Sequence, residues 1–305
     1  MIYADRLEAA LARSGTPCVL GLDPHLDLLP PDFALARDPA ATRAERARAV
    51  GDFLCELIDV ACERIAVVKP QSAFFELLGA DGAAAWERVV AHAHGAGLLV
   101  IGDVKRGDIA STAAAYAAAY LEGLEGAPGG PRAHVCDAIT VNAFLGHDSL
   151  EPFLAACRRS GGGLYVLVRT SNPGSADFQL HGRPTLSEKL ADAVAHWGRE
   201  LTGACGLSSV GAVVGATQPE VLRDLRARMP RTPFLLPGFG AQGGGPADVV
   251  AAFLPGGRGA LVSSSRAVAF AHARPEHAGL HWKDAAARAL DEMIAGLRAA
   301  LAAGR

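Results

Sequence analysis

Eight short apolar runs recur along the chain, and each is followed by a segment with the pattern of a helix. The runs are rich in valine, leucine and isoleucine with little polar alternation, which is typical of strands buried on both faces of a parallel sheet. The predicted strands are 17–23, 65–71, 98–105, 138–144, 164–170, 210–216, 233–239 and 259–265.

The segments between these runs predict the helices, which are 44–63, 80–95, 110–125, 148–159, 185–204, 217–228, 246–254 and 283–302. Eight strand–helix units in 305 residues match an α/β fold of the (β/α)8 TIM-barrel type. We find no linker or break in composition, so we expect a single domain over residues 1–305. A doubly wound open sheet is the alternative, although no GxGxxG motif follows the first strand.

Composition and charge exclude several classes of function. The net charge is −3 and no basic stripe is present, so we expect no nucleic-acid partner. No apolar run approaches the roughly 18 residues of a membrane span, and the first residues lack a signal-peptide pattern, so we expect a cytoplasmic protein without membrane association. The six cysteines form no CxxC and the ten histidines no HExxH, which favours reduced thiols and no metal site.

Charged and polar residues collect where the predicted strands end. In a TIM barrel the carboxyl ends of the strands form the functional face, so these side chains should share one mouth. The strand-end residues are Asp23, Lys69, Asp103, Lys105, Asn142, Arg169, Thr170, Ser171 and Arg266.

The stretch LLVIGDVKRGDIAST, residues 98–112, carries the strongest signal. Asp103 and Lys105 are two residues apart, so both leave the same side of a strand, about 6.6 Å apart along it. Lys69 on the adjacent strand would lie roughly 5 Å to the side, which predicts an alternating array of charges. Asp108 comes after the strand should have ended, and nothing directs its side chain back into its own barrel. The alternative is a purely structural salt-bridge cluster at the ends of the strands.

The Gly-rich stretch PGFGAQGGGP, residues 237–246, follows the seventh strand and precedes a predicted helix. Such turns expose backbone N–H groups to an anion, and the loops after strands seven and eight are the common phosphate site of this fold. Arg266 offers a fork of donors for the same phosphate. A flexible connector with a surface arginine is the alternative. The long polar segment 171–184 is a candidate lid.

The motif DVKRGD, residues 103–108, has the form Asp-x-Lys-x-x-Asp and resembles that of the orotidine 5′-phosphate decarboxylase family. The stretches GLDP, VVKPQSAFFE, TVNAFLG, VRTSNPGS, PGFGAQGG and VSSSR resemble the longer bacterial branch of the same family, in the same order, over residues 3 to 300. The resemblance implies a TIM barrel that decarboxylates orotidine 5′-phosphate to UMP without a cofactor, in the last step of pyrimidine nucleotide synthesis.

The resemblance also implies catalytic roles. Lys69 would bind the ribose and orient Asp103, which would face the substrate carboxylate. Lys105 would donate the proton. Asp108 would act in the site of a partner protomer, which implies a homodimer with shared sites.

Further residues would bind substrate by the same resemblance. Asp23 would hold the ribose hydroxyls, and Ser171 would recognise the pyrimidine. Asn142 would lie near the base or ribose, and Gln179 in the lid would reach the phosphate. The remaining implied contacts are Ile109 and Thr112, which accompany Asp108 into the partner site, and the phosphate site of Gly238, Gly240, Gln242, Gly243 and Arg266.

Three other functions remain open at this stage. A sugar-phosphate decarboxylase or aldolase of the same suprafamily would use Mg²⁺ and a glutamate where this chain has Lys69. A Schiff-base aldolase would need a lysine with a depressed pKa, whereas Asp103 should keep Lys105 protonated. A non-catalytic barrel that binds nucleotide phosphates is the third alternative.

Overall fold

Eight parallel strands close into a barrel in the computed structural model, which describes residues 1–124, 135–215, 219–238 and 245–303. Each strand pairs with the next along the chain, and the last pairs with the first, so the (β/α)8 TIM-barrel prediction is confirmed and the open sheet is excluded. The strands are β1 (Cys18–Leu22), β2 (Val67–Pro70), β3 (Leu99–Arg106), β4 (Ala138–Val141), β5 (Gly163–Arg169), β6 (Val210–Val214), β7 (Phe234–Leu236) and β8 (Ala260–Ser264).

Helices surround the barrel, except the first helix, which packs against its amino-terminal end. They are α1 (Tyr3–Ser14), α2 (Arg43–Ala61), α3 (Ser72–Glu76), α4 (Gly79–Gly95), α5 (Ala110–Ala117), α6 (His147–Ser160), α7 (Ala176–Gln179), α8 (Leu186–Trp197), α9 (Pro219–Arg228), α10 (Arg266–Ala269) and α11 (Trp282–Ala303). Within the described ranges, no helix is both long enough and apolar enough to cross a membrane.

Three predicted helices differ from the structure. The 185–204 helix ends at Trp197, because Gly198 follows and the chain continues as a short 3-10 turn. The 110–125 helix is α-helical only to Ala117 and then widens into a π turn. The predicted 246–254 helix is wrong in type: only the 3-10 turn Val250–Ala252 forms, since two adjacent β-branched valines and a following Leu-Pro-Gly-Gly leave little room for an α-helix.

The barrel interior is filled by one inward residue from each strand. These residues form a single apolar cluster with α1, which closes the amino-terminal end of the barrel; there the Tyr3 hydroxyl lies 3.0 Å from that of Tyr165. The strand members are Val19, Val67, Ile101, Ala138, Tyr165, Val213, Leu235 and Leu261. Because side chains alternate along a strand, the residues two positions later also face inward, at the opposite mouth.

A buried arginine ties the amino-terminal ends of the last two strands to helix α9. Arg226 is 8% exposed, and its guanidinium carbon lies 3.6 Å from the centre of the Phe234 ring. Burial lowers the pKa of Arg226 to about 10, so the group is still charged at neutral pH. Its nitrogens donate to backbone carbonyls at 2.7–2.8 Å, namely those of Ala252, Met229, Thr232 and Gly259.

We expect Arg226→Met to lower the free energy of unfolding by about 3 kcal/mol, because it leaves several buried carbonyls without a donor. Arg223→Met is the matched control, since Arg223 lies on the same helix but is exposed. Urea denaturation of both variants measures the difference. A loss of less than about 0.5 kcal/mol for Arg226→Met would mean that the hydrogen bonds of the buried guanidinium contribute no more to the free energy of unfolding than a surface side chain does.

Candidate active site

A row of three charged side chains lies at the carboxyl-end mouth of the barrel. Lys69 and Asp103 follow the interior residues Val67 and Ile101 by two positions on β2 and β3, and Lys105 follows two positions later. Strand alternation therefore turns Lys69 and Asp103 inward. Lys105 lies where the pairing of β3 with β4 becomes irregular, and its Nζ atom is turned toward Asp103. Lys69 and Asp103 are buried, whereas the Lys105 side chain is 46% exposed and reaches the open space of the mouth.

The Asp103 carboxylate lies between the two ammonium groups. Lys69 Nζ donates to Asp103 Oδ2 at 2.6 Å, and Lys105 Nζ donates to Asp103 Oδ1 at 2.6 Å. Each carboxylate oxygen accepts one further hydrogen bond, from Gln71 Nε2 at 3.1 Å and from Thr140 Oγ1 at 2.9 Å respectively. All four donors hold the carboxylate in one orientation, which is the preorganisation that electrostatic catalysis needs.

The buried pair of Lys69 and Asp103 keeps its charges over a wide pH range. Burial alone would raise the pKa of Asp103, but Lys69 and Lys105 outweigh it and hold that pKa well below its usual range. Burial likewise disfavours the charged form of Lys69, yet Asp103 and then Asp23 raise the pKa of Lys69 above its ordinary value. The Lys69–Asp103 pair is therefore ionised at neutral pH.

We expect Asp103→Asn to lower the free energy of unfolding by about 3 kcal/mol near pH 7, because it leaves the buried Lys69 ammonium without its main counter-charge. The pKa of Asp103 is depressed on folding, so its contribution is present above the unfolded pKa near 3.9 and is lost as the pH falls further. The stability difference should stay constant from about pH 5 to 9 and shrink below about pH 4.

Denaturation curves across this pH range check the expectation, with the exposed Asp224→Asn as control. A stability difference that grows on acidification would contradict the charge assignment of the array.

The backbone of Lys105 is strained. Its φ is +45°, in the left-handed region that costs a residue with a side chain about 1–2 kcal/mol. Such strain persists only where surrounding contacts enforce it, and it is concentrated at functional sites. The next residue, Arg106, points away from the mouth, where it pairs with Glu76 and donates to the Tyr120 hydroxyl at 3.2 Å. These contacts of Arg106 on the outer side hold the end of β3 in place, while the Lys105 side chain faces inward.

Asp23 lies beside Lys69, close enough to raise the pKa of that lysine. Its Oδ1 atom is buried and has no hydrogen-bond partner in the described part of the chain. An unsatisfied buried acceptor is costly, so it marks a place where a ligand donor can bind. Among the residues of the site, Asp23 is therefore the best candidate to accept a hydrogen bond from a bound ligand.

The segment after β3 turns away from the array of its own chain. Asp108 accepts a hydrogen bond from the Ile109 backbone at 2.8 Å, but among the described residues it forms no ion pair. The Ile109 side chain is 54% exposed, and Thr112 is exposed on α5. The chain thus brings Lys69, Asp103 and Lys105 together and leaves Asp108 outside the array.

Two predicted binding residues make local contacts after strands β4 and β5. Asn142 is exposed, and its Oδ1 accepts from the Phe144 backbone at 3.0 Å, which shapes the turn after β4. Gln179 Oε1 accepts from the Thr170 backbone at 2.8 Å, while its Nε2 donates to the Thr170 hydroxyl at 2.8 Å. The Gln179 amide is therefore engaged within its own loop in this conformation.

Of the remaining predicted residues, Ser171, Gly238 and Arg266 follow strands β5, β7 and β8 and so lie at the same mouth. Ser171 is half-buried where β5 ends, and Gly238 has a φ of +82° just after β7. Arg266 begins α10 and is exposed, and its side chain makes no hydrogen bond or ion pair with any residue that the structure describes. Gly240, Gln242 and Gly243 lie outside the described residues.

The sequence analysis missed Thr140 and Gln71. Both contact Asp103, and Thr140 sits two positions after the interior residue Ala138, so strand alternation could have indicated it. In the described ranges, no group of three or more histidine, cysteine, aspartate or glutamate residues is placed to hold a metal ion.

Comparison with known proteins agrees with this geometry. Residues 18–279 match the model of the orotidine 5′-phosphate decarboxylase / HUMPS family, a span that contains all eight strands and the whole array. The chain belongs to this family. It is 44% identical over 304 residues to orotidine 5′-phosphate decarboxylase of Rhodopirellula baltica, covering 96% of this chain and 98% of that protein.

Two further relatives extend the comparison. Orotidine 5′-phosphate decarboxylase of Deinococcus radiodurans is 44% identical over 265 residues, 87% of each chain. The solved structure of Leishmania donovani OMP decarboxylase superimposes with a TM-score of 0.74 at 31% identity, covering 99% of both chains. The family resemblance seen in the motifs is therefore confirmed across the barrel.

Proposed function

We propose that this protein decarboxylates orotidine 5′-phosphate to UMP, the last step of pyrimidine nucleotide synthesis. The observation that carries the proposal is the buried Lys69–Asp103–Lys105 array, whose exposed end is an ammonium group at the barrel mouth. Membership of the orotidine 5′-phosphate decarboxylase / HUMPS family supports the substrate.

The reaction breaks the bond between C6 of the pyrimidine and the carboxylate carbon. CO₂ leaves, and the bonding electron pair stays on C6 as a carbanion that the ring cannot delocalise. The Lys105 ammonium faces this charge, stabilises it, and then transfers a proton to C6, which gives UMP. Lys105 is afterwards reprotonated from solvent, to which it is 46% exposed.

The Lys105 ammonium alone does not account for the whole rate enhancement of the decarboxylation. A pair of charges about 4 Å apart at an effective dielectric constant near 20 interacts by about 4 kcal/mol. Large enzymatic accelerations correspond to about 20 kcal/mol or more, so binding energy from remote parts of the substrate must contribute. Asp103 holds the Lys105 ammonium in place by an ion pair at 2.6 Å. Asp103 would also face the departing carboxylate, and loss of CO₂ would relieve the repulsion between the two carboxylates.

We assign substrate contacts to the residues at the mouth. Asp23, with its unpartnered carboxylate oxygen, accepts from the ribose hydroxyls. Ser171 recognises the pyrimidine, and Asn142 lies near the base or ribose. Gln179 can reach the phosphate only after its hydrogen bonds to Thr170 break. We assign this change of hydrogen-bond partner to the closure of the lid. The phosphate site consists of Arg266 with Gly238, Gly240, Gln242 and Gly243.

We propose further that the protein works as a homodimer with shared sites. Asp108, Ile109 and Thr112 would enter the partner's mouth and complete its array. In support, Asp108 forms no ion pair with the described residues of its own chain, and its one hydrogen bond is to the adjacent Ile109 backbone. The neighbouring side chains of Phe144 and Leu145 are 81% and 49% exposed, and a partner would cover such apolar surface.

We propose that no metal or other cofactor takes part and that the protein is cytoplasmic. Lys69 stands where a metal-dependent relative would need a carboxylate, and its ammonium repels Mg²⁺. The Mg²⁺-dependent sugar-phosphate reaction is disfavoured for the same reason. All six cysteines are free, and four of them are buried, which suits a reducing compartment.

The test of the proposed function is CO₂ release from orotidine 5′-phosphate by the purified protein, before and after exhaustive chelation with EDTA. We expect stoichiometric UMP and CO₂, with a rate unchanged by EDTA. A protein that releases no CO₂ from this substrate, or whose rate requires added Mg²⁺, contradicts the proposal.

A further inference from the structure

The pairing of β3 with β4 is interrupted at the array. Gly102 pairs with Ile139 and Arg106 pairs with Val141, so three residues of β3 face the single residue Thr140. A strand that gains residues against its neighbour bends and re-aims its side chains, and such irregularities occur next to active sites. Lys105 lies within this interruption, and its backbone has the positive φ of +45°.

The Thr140 hydroxyl replaces the missing backbone pairing. Its Oγ1 atom accepts a hydrogen bond from the backbone N–H of Lys105 at 2.9 Å. The same hydroxyl donates to Asp103 Oδ1 at 2.9 Å. That carboxylate oxygen also accepts from Lys105 Nζ at 2.6 Å, so one hydroxyl is bonded both to the backbone of the lysine and to the counter-ion of its ammonium.

Burial makes this arrangement rigid. Thr140 is 1% exposed, so water does not compete for its hydroxyl. A hydroxyl has one proton, and here that proton is given to Asp103 while a lone pair accepts from Lys105. A β-branched side chain also has few χ1 rotamers, which keeps the oxygen in place.

We propose that Thr140 is a positioning residue for the proton donor: it fixes the strained backbone of Lys105 and the Asp103 carboxylate together, and so aims the ammonium at the substrate. This inference rests on the proposed function for its catalytic consequence. Its structural part, the support of the Lys105 backbone, stands on the hydrogen bonds alone.

The kinetic test compares Thr140→Val, which keeps the shape of the side chain and removes the hydroxyl, with Thr140→Ser, which keeps the hydroxyl. We expect Thr140→Val to lower kcat about 10²-fold with KM within about threefold of wild type, because a small misplacement of a catalytic group has an effect of this size. Thr140→Ser should keep kcat within about fivefold of wild type. Thr16→Val is the control, since it removes a buried hydroxyl at the opposite end of the barrel.

A second readout needs no catalysis. Amide hydrogen exchange of Lys105, followed by NMR in the ligand-free protein, should accelerate by at least about tenfold in Thr140→Val and change little in Thr140→Ser. Thr140→Ala replaces Thr140→Val if the latter does not fold, because Ala and Ser differ by a single oxygen atom.

The outcomes separate this inference from the proposed function. If the wild type releases no CO₂ but the exchange of Lys105 still depends on the hydroxyl, the function is wrong and the structural part holds. If the wild type is active but Thr140→Val matches it in kcat, or Thr140→Ser is as impaired as Thr140→Val, the positioning role is refuted.

Discussion

Replacement of Lys105 by alanine is expected to lower kcat by at least about 10⁴-fold. The variant loses both the cation that stabilises the carbanion and the proton that quenches it, while Lys69 and Asp103 keep their own ion pair at 2.6 Å. Because Lys105 is half-exposed and lies at the end of β3, its truncation should cost little stability. Binding of UMP, which depends on the ribose and phosphate, should weaken far less than kcat.

The measurement is CO₂ release by Lys105→Ala, by wild type and by Lys189→Ala. Lys189 is exposed on α8, so its removal controls for the loss of one positive charge. Thermal unfolding of the three proteins should give similar midpoints. A Lys105→Ala variant that turns over within about tenfold of wild type would show that another group protonates C6.

Mixing two inactive variants is expected to restore activity. Asp108→Asn alone should lower the rate by at least about 10²-fold, because in the proposed shared site Asp108 would supply a charge to the partner's array. In a dimer of Asp108→Asn with Lys105→Ala, both mutations fall in the same site and the other site is intact. Random pairing makes half of the dimers mixed, so about a quarter of wild-type activity should return.

Subunit exchange is established first, by native mass spectrometry of the mixed proteins. The control mixes Asp103→Asn with Lys105→Ala, two residues of the same protomer's array, which recover nothing if each site takes both from one chain. Full exchange without recovery in the Asp108→Asn mixture would show that Asp108 serves its own protomer or no site at all.

The predictable part of the site follows from strand alternation. Once Ile101 is placed inside the barrel, Asp103 follows on the same side, and Lys69 near the end of the neighbouring strand lies next to it. The same rule predicts Lys105 beside Asp103, and the two side chains do form an ion pair, although the strand pairing is irregular there. Eight apolar runs separated by helices were enough to predict the barrel, because parallel strands buried on both faces have few other arrangements.

The parts that could not be predicted depend on register and on loops. Strand alternation could place Thr140 inside the barrel, but its hydrogen bond to the Lys105 backbone depends on the irregular register in which three residues of β3 face it. Gln179 was expected at the phosphate, yet its amide is bound to Thr170, a local pairing that composition does not reveal. Its phosphate contact stays a prediction, as do the roles of the other binding residues.

The central claim is that the Lys105 ammonium, held by Asp103, faces C6 of the pyrimidine at the barrel mouth. A crystal structure of the protein with UMP bound tests it most directly. The account predicts Lys105 Nζ within about 3.5 Å of C6, with Asp108 of the partner subunit in the same site. A pyrimidine bound with C6 turned away from Lys105, or a Lys105 ammonium separated from Asp103, would contradict it.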